Sequence, residues 1–349
     1  MSEAIQIKTV VQYLEQIAPP VYQESYDNAG LIVGDGNAAV TGVLVCLDST
    51  EAVIEEAKTL GCNLVIAHHP IVFKGLKRLT GRNYVERTII AAIKNDIAIY
   101  ASHTNLDNVY QQGVNAQIAA KLGLENTRIL APKAVLKKLV AYATPEQVDA
   151  LRQQLLQLGA GQVLDTPFSF STLGVATTAG NSAASIKLEV HFPIASSGAI
   201  QGHLAAKGIA YEVIPVEVNH PGIGSGMIGE LPKAQNELNF LKKVKSTMQA
   251  GCVKHTRLLD KPIKTVAVCG GAGGFLLPSA IAQGADVFIT SDYKYHEFFD
   301  ADGRIVIADI GHYESEQYTI ELLQGIVSEK FSTFAAYCTK VNTNPVQYL

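Results

Sequence analysis

Seven side chains in this chain of 349 residues have the types and spacing that bind transition metals. His68 and His69 are adjacent in the stretch Leu64-Val-Ile-Ala-His-His-Pro70. His103 and Asp107 stand four residues apart, His312 and Glu316 repeat that spacing, and Asp292 closes a short apolar run. Mixed imidazole and carboxylate ligands suit Zn, Fe, Mn, Co or Ni; thiolates are absent from the set, and an all-oxygen Mg or Ca cage is not indicated. Five or six ligands exceed the four of a single tetrahedral ion. Two neighbouring ions sharing a carboxylate account for the set better, and such a pair lowers the pKa of bound water and serves hydrolysis. Successive side chains on a strand point to opposite sides, so His68 and His69 cannot share one ion by simple geometry. A turn at Pro70 would let them straddle two. Taken singly, each residue is equally well explained as a strand-end cap or a hydrogen-bonded polar group. Together, at matched positions, they point to metal.

These residues need strands to carry them. Leu64–Ala67, Val43–Leu47, Ile97–Tyr100, Val266–Cys269, Val287–Ile289 and Ile305–Ala308 are short, continuously apolar runs. Such runs read as parallel strands buried on both faces. In open α/β sheets the ligand site lies beyond the carboxyl ends of those strands, where the seven residues fall. Helical periodicity is expected over residues 6–18, 51–60, 84–94, 113–122, 240–250 and 318–330, with a last strand over 334–338. Laid without gaps, Val43–His69 matches Val266–Asp292 with six identities in 27 positions, and both windows read strand, helix, glycine stop, strand. His103-x-x-x-Asp107 then corresponds to His312-x-x-x-Glu316. The expectation is an internal duplication whose strand ends face each other across one cleft.

From about Leu136 the texture changes. Strands near 138–143, 168–170, 186–192 and 210–218, with helices over 147–158 and 198–207, give the order β-α-β-β-α-β of a ferredoxin-like unit. Pro215, Pro221 and four glycines between Gly222 and Gly229 read as a linker.

Hydrophobic residues make up 48% and charged residues 17%, so a sizeable core is expected and disorder is not. A net charge of -4 gives nucleic-acid binding no compositional support. The five cysteines are scattered and form no CxxC, so neither a disulfide framework nor a zinc ribbon is expected. No signal peptide is visible at the N-terminus. The most apolar window, Thr265–Ala285, is broken by five glycines and Pro278 and does not read as a membrane span. A cytoplasmic protein is the default. Gly270-Gly-Ala-Gly-Gly274 follows a strand but is neither GxGxxG nor a phosphate P-loop; a tight turn is at least as good a reading as an anion site. The loop carrying Lys74, Lys77, Arg78 and Arg82 neighbours His68-His69 and could hold a phosphate.

The combination of Asp27-Asn28, Ala-His68-His69-Pro, His103-Thr-Asn-Leu-Asp107, the Gly270–Gly274 turn, Ser291-Asp-Tyr-Lys-Tyr-His296-Glu and Gly311-His312-Tyr-Glu-Ser-Glu316 resembles the Ngg-interacting-factor-three-like family. Bacterial members carry the label GTP cyclohydrolase 1 type 2 homologue. The resemblance covers nearly the whole chain. It implies an α/β fold of two similar α/β/α halves forming one core, with an inserted ferredoxin-like α+β domain. The expected divisions are 1–132, 133–232 and 233–349, with Asn181–Ala184 and Asn219–Gly222 of the insert in loops. It implies two divalent metal ions per subunit on His68, His69, Asp107, His312 and Glu316, with His103 and His296 beside them. A carboxylate has two oxygens to offer, so Glu316 is the best candidate to bridge. It further implies a hexameric ring of identical subunits. The function expected is hydrolysis of a small nucleotide-like or phosphorylated substrate. The alternative is a non-enzymatic metal-binding or regulatory scaffold.

Overall fold

A computed structural model describes residues 4–161, 168–178 and 181–349. The chain is mixed α/β and folds into two compact units, one running up to Ala131 and resuming over Gly224–Leu349, the other spanning Pro132–Ile223.

The first unit opens with helix α1 (Ile7–Ile17), whose Ile7, Val10, Val11 and Leu14 recur at helical spacing and are buried. Next come β1 (Gly30–Val33), β2 (Val43–Asp48), α2 (Glu51–Thr59), β3 (Leu64–His69), α3 (Tyr84–Lys94), β4 (Ala98–Ala101), α4 (Thr104–Asp107), α5 (Val114–Leu122) and β5 (Glu125–Pro132). Thr50 and Asn83 cap α2 and α3 by accepting the N–H groups of Val53 and Glu86, which starts both helices one residue past a polar turn. β2, β3 and β4 are parallel neighbours, and β1 lies antiparallel on the outer side of β4. Val43 to Leu47 and Leu64 to His68 are fully buried, as strands covered on both faces must be. Val53, Ile54, Ala57, Ile89 and Ala92 of α2 and α3 pack on one face of this sheet.

The second unit has strand β6 (Leu136–Ala143), helix α6 (Val148–Gln157), β7 (Phe170–Thr178), β8 (Asn181–Pro193), α7 (Ser197–Ala206) and β9 (Ala210–Pro215). Its sheet runs β7-β8-β6-β9 with every pair antiparallel. Leu139, Leu188 and Val190 of the sheet meet Leu151, Leu155, Ile200 and Leu204 of the helices. Asn181–Ala184, expected in a loop, are the first residues of β8 and pair with the end of β7.

The first unit resumes with β10 (Gly224–Gln235), α8 (Glu237–Thr247), β11 (Lys254–His255), β12 (Ile263–Val268), α9 (Leu277–Ala282), β13 (Val287–Thr290), β14 (Val306–Asp309), α10 (His312–Glu316), α11 (Thr319–Lys330) and β15 (Ala336–Cys338). The expected linker through Gly229 is therefore wrong in its second half: β10 is a buried strand paired with β12 from Met227 to Glu230. Its glycines serve close approach and not flexibility. A Cβ on Gly229 would lie 2.9 Å from the Glu125 carbonyl oxygen and 2.8 Å from Thr127. Gly226 adopts a φ of +64°, with Leu276 2.8 Å from where its Cβ would sit.

The two sheets run β1-β4-β3-β2-β15 and β11-β14-β13-β12-β10-β5. Ladder positions correspond where the sequence aligns: Val45 pairs with Ile66, and Val268 pairs with Ile289. α4 and α10 are one-turn helices that each follow the third parallel strand. Late elements cross over. β15 joins the first sheet and α11 packs on β2 and β3, while β5 joins the second sheet and α5 packs on β10 and β12. Among the described residues no helix is long and apolar enough to cross a membrane.

This exchange makes a prediction. Residues 1–132 expressed alone leave α5 and β5 without the sheet they cover, so they should give a poorly protected, aggregation-prone chain. Co-expression with residues 224–349 should restore slow amide exchange in β2 and β3. A fragment 1–132 that shows cooperative unfolding by itself would refute the coupling.

Candidate metal centre

The carboxyl ends of the parallel strands converge. β3 supplies His68 and His69, α4 supplies Asp107, and α10 supplies His312 and Glu316. Glu316 is almost wholly buried at 3% side-chain exposure, His68 is fully buried, and His312 remains 41% exposed. The carboxylate of Glu316 is the hub. Its Oε2 lies 2.9 Å from His69 Nε2 and 3.2 Å from His312 Nε2, and those two nitrogens are 3.3 Å apart. Its Oε1 lies 3.7 Å from His68 Nε2, which is 3.6 Å from Asp107 Oδ1. The strand alternation that separates the two histidines thus sends them to different oxygens of one carboxylate.

Each ring is fixed from behind. His68 Nδ1 donates to the Ser102 carbonyl at 2.8 Å, His69 Nδ1 to Asp48 at 2.8 Å, and His312 Nδ1 to Asp292 at 2.6 Å. His103 Nδ1 donates to Asp27 at 2.8 Å, and Thr104 binds the other Asp27 oxygen through its N–H and hydroxyl. With Nδ1 committed as donor, Nε2 is the nitrogen free to act as a ligand, the arrangement that orients metal-binding histidines. Asp48 was not expected here at all, and Asp292, counted among the metal-binding side chains by its place at a strand end, instead fixes a histidine ring. Their place at the ends of β2 and just past β13 was the available signal. Asp292 takes a φ of +60°, a left-handed conformation that Asp tolerates better than most residues.

The electrostatics are those of a carboxylate excess. Burial lowers His69, but its hydrogen bonds to Asp48 and Glu316 outweigh that and raise the ring to about 9. Burial lowers His312 too, yet Glu316 and Asp292 raise it to about 11. Burial and the Glu316 charge push Asp107 well above the usual carboxylate range. Burial acts the same way on Glu316, but His312 and His68 hold it well below. His68 is lowered by burial.

Two atoms identify what the cluster fits. His68 Nε2 and Asp107 Oδ1 are buried and have no hydrogen-bond partner among the described residues. An unpartnered buried polar atom costs on the order of 1–3 kcal/mol. Two ligand atoms about 2.1 Å from one ion at a tetrahedral angle stand about 3.4 Å apart, close to the 3.6 Å between these two. His68, His69 and Glu316 offer donor atoms within 4.8 Å of one another and could hold a metal ion.

The glycine turn is built for this cluster. A Cβ on Gly271 would lie 2.5 Å from Glu316 Oε1, and the residue has a φ of +63°, so only glycine fits beside the carboxylate. Its N–H donates to Ser315 Oγ at 2.9 Å, which donates to the His312 carbonyl at 2.8 Å. Asn115 in α5 donates to the Asp107 carbonyl at 3.0 Å and accepts the Gly270 N–H at 3.0 Å. One amide therefore ties the Asp107 turn of the first sheet to the glycine turn of the second.

The cluster lies in a cavity of about 830 Å³. His103 lines it, with its ring centroid 5.4 Å from those of both His68 and His69. His296 does not join it; it is exposed, with its ring against Tyr295 and Phe299. Lys74, Lys77 and Arg78 are exposed and outside the cavity lining, which takes only Phe73 from that loop. The closing residues of the chain were not expected here at all. Thr343 donates to Asp48 at 2.7 Å, Asn344 donates to Glu314 at 3.1 Å, and Val346 and Tyr348 line the cavity.

A family model described as Duf34/NIF3 (NGG1p interacting factor 3) matches residues 5–345. The chain belongs to the Duf34/NIF3 family. A Bacillus subtilis protein named GTP cyclohydrolase 1 type 2 homolog is 31% identical over the full length of both chains. One of the same name from Staphylococcus epidermidis is 30% identical over 99% of this chain and all of its own. Among solved structures, a Bacillus cereus protein related to NIF3 superposes with a TM-score of 0.85 at 31% identity, covering both chains completely. A Staphylococcus aureus protein follows at 0.82 and 28%, again over both whole chains.

Two outcomes test the geometry. Asp48→Ala removes the acceptor that fixes His69 and should weaken Zn²⁺ binding by about 10- to 100-fold, with the fold retained by circular dichroism; unchanged affinity would refute the orienting role. His69 and His312, raised to about 9 and about 11, are protonated at pH 7.5 in the metal-free protein. Metal takes the deprotonated ring, so binding should release protons and tighten as pH rises toward 9. Calorimetric titration in buffers of different ionisation enthalpy reads this directly; heats independent of the buffer would contradict it.

Proposed function

We propose that this cluster is a dinuclear divalent-metal centre and that the protein is a metal-dependent hydrolase of a small nucleotide-like or phosphorylated molecule. The observation that carries the reading is the division of labour at Glu316. One oxygen faces His69 and His312, the other faces His68 with Asp107 beside it. His68, Asp107 and Glu316 would hold one ion, and His69, His312 and Glu316 the other. Zn, Fe, Mn, Co or Ni suits this donor set. A bound ion pair would supply a nucleophilic water at neutral pH and polarise the scissile bond. Asp48 and Asp292 fix the ligand rings, and Asp27, which His103 and Thr104 hold down to about 2 against its burial, keeps the His103 ring turned toward the cavity. His103 is then placed to move a proton at its Nε2 without holding metal. The name of the similar bacterial proteins supports a nucleotide-like substrate.

The same reading covers the architecture. The corresponding ladders and one-turn helices support two similar halves, 1–132 and 233–349, and the sheet order β7-β8-β6-β9 supports a ferredoxin-like insert within 133–232. We take the protein to act as a homohexamer in the cytoplasm.

Elemental analysis should give two ions per chain after reconstitution. Glu316→Ala should lose both, because both sites share its carboxylate. His103→Ala should keep the metal and lose most turnover on a panel of nucleotides and phosphoesters. At most one ion per chain would overturn the dinuclear centre. Full loading without turnover on any panel member would favour the scaffold reading.

A further inference from the structure

Four aromatic side chains line the metal cavity while remaining largely in water: Tyr26 at 67% exposure, Phe73 at 50%, Tyr84 at 62% and Phe275 at 67%. The sequence attaches three of them to the metal machinery. Tyr26 precedes Asp27, Phe73 follows His69 by four residues, and Phe275 follows Gly271 by four. Phe73 also reaches the cluster through rings: its centroid is 5.7 Å from that of His103, which is 5.4 Å from those of His68 and His69. Charge sets the second condition. Seven carboxylates line the cavity against a single lysine, Lys254, whose amine is 2.6 Å from Asp309. Lys254 offsets one of those seven charges and two divalent ions would offset four more, so the loaded cavity would keep a small carboxylate excess.

We propose that these four rings are the specificity rim of the cavity and that they recognise a flat heteroaromatic ring bearing little or no negative charge, such as a nucleobase or nucleoside. The proposal rests on the metal-centre reading and narrows its substrate class. Base–aromatic stacking accepts any π-face and needs no cation, which matches a lining whose one lysine is already engaged. Apart from the ions themselves, a polyphosphate tail finds no uncommitted lysine or arginine among the described lining residues and meets the carboxylates that the ions leave unbalanced.

Equilibrium dialysis of the zinc-loaded full chain against guanosine, cytidine, GTP and ribose 5-phosphate tests it. Guanosine and cytidine should bind, GTP more weakly than guanosine by about tenfold or more, and ribose 5-phosphate not measurably. Phe275→Ala and Tyr26→Ala should each weaken guanosine by about tenfold at unchanged metal content, and Phe275→Tyr should restore it. GTP or ribose 5-phosphate binding more tightly than guanosine would overturn the proposal. So would no nucleoside binding, no effect of either rim variant, or a change in oligomer mass caused by them, which would assign the rim to a contact between copies. The ratio of wild type to Phe275→Ala is read in zinc-loaded and chelator-treated protein alike. Failure of the metal centre appears separately, as low zinc content in the wild type.

Discussion

One carboxylate holds the arrangement together. Glu316 is buried, and its two oxygens are aimed at imidazoles from two places: His68 and His69 on β3 of the first sheet, and His312 one turn earlier on its own helix. For that to happen the carboxyl ends of both sheets must face each other within a few ångström. The rest of the core can be understood as meeting this demand. Gly271 clears space beside the carboxylate, Asn115 ties the facing turns, α11 packs on the first sheet and α5 on the second.

The demand is electrostatic as well as steric. Buried carboxylates are costly unless paired, and here protons remain on His69 and His312 at neutral pH because Asp48, Asp292 and Glu316 surround them. Burial and the neighbouring Glu316 charge push Asp107 well above the usual carboxylate range. Such a cluster stabilises whatever positive charge enters it. The orphaned pair His68 Nε2 and Asp107 Oδ1 shows that protons alone do not satisfy it, since neither atom has a hydrogen-bond partner among the described residues. A divalent cation meets both needs at once, and the donor types favour a transition metal over magnesium or calcium.

The end of the chain belongs to the site for a related reason. Asp48 has two oxygens; one accepts from His69 and the other from Thr343. A residue near the C-terminus therefore fixes the carboxylate that fixes the His69 ring. Full-length similarity to the Bacillus subtilis and Bacillus cereus proteins fits a core in which early and late segments are built around one another.

The sequence by itself determined the strands and the kinds of side chain at their ends. Short apolar runs bounded by turn residues and ending in His or Asp read as buried strands with polar ends, because their length and flanking residues are local properties; β2, β3, β12, β13 and β14 and the residues at their tips were legible on that basis. The spacing His-x-x-x-acid was also legible, since one helical turn brings such residues together. What tertiary structure decided is everything that depends on contact between distant segments. The glycine-rich stretch after Gly222 looked like a linker but is strand β10, because its glycines answer to Glu125, Thr127 and Leu276 and not to their own neighbours. The basic loop neighbours His69 in sequence and could have held a phosphate, yet its charges lie outside the cavity lining, because sequence proximity does not fix the direction a loop leaves the sheet. Asp48 and Thr343 became part of the site, and Asp292 took its place behind His312, only when β2, β13 and the C-terminal segment converged. Their role is to hold other side chains, and a partner far along the chain leaves no local pattern to read.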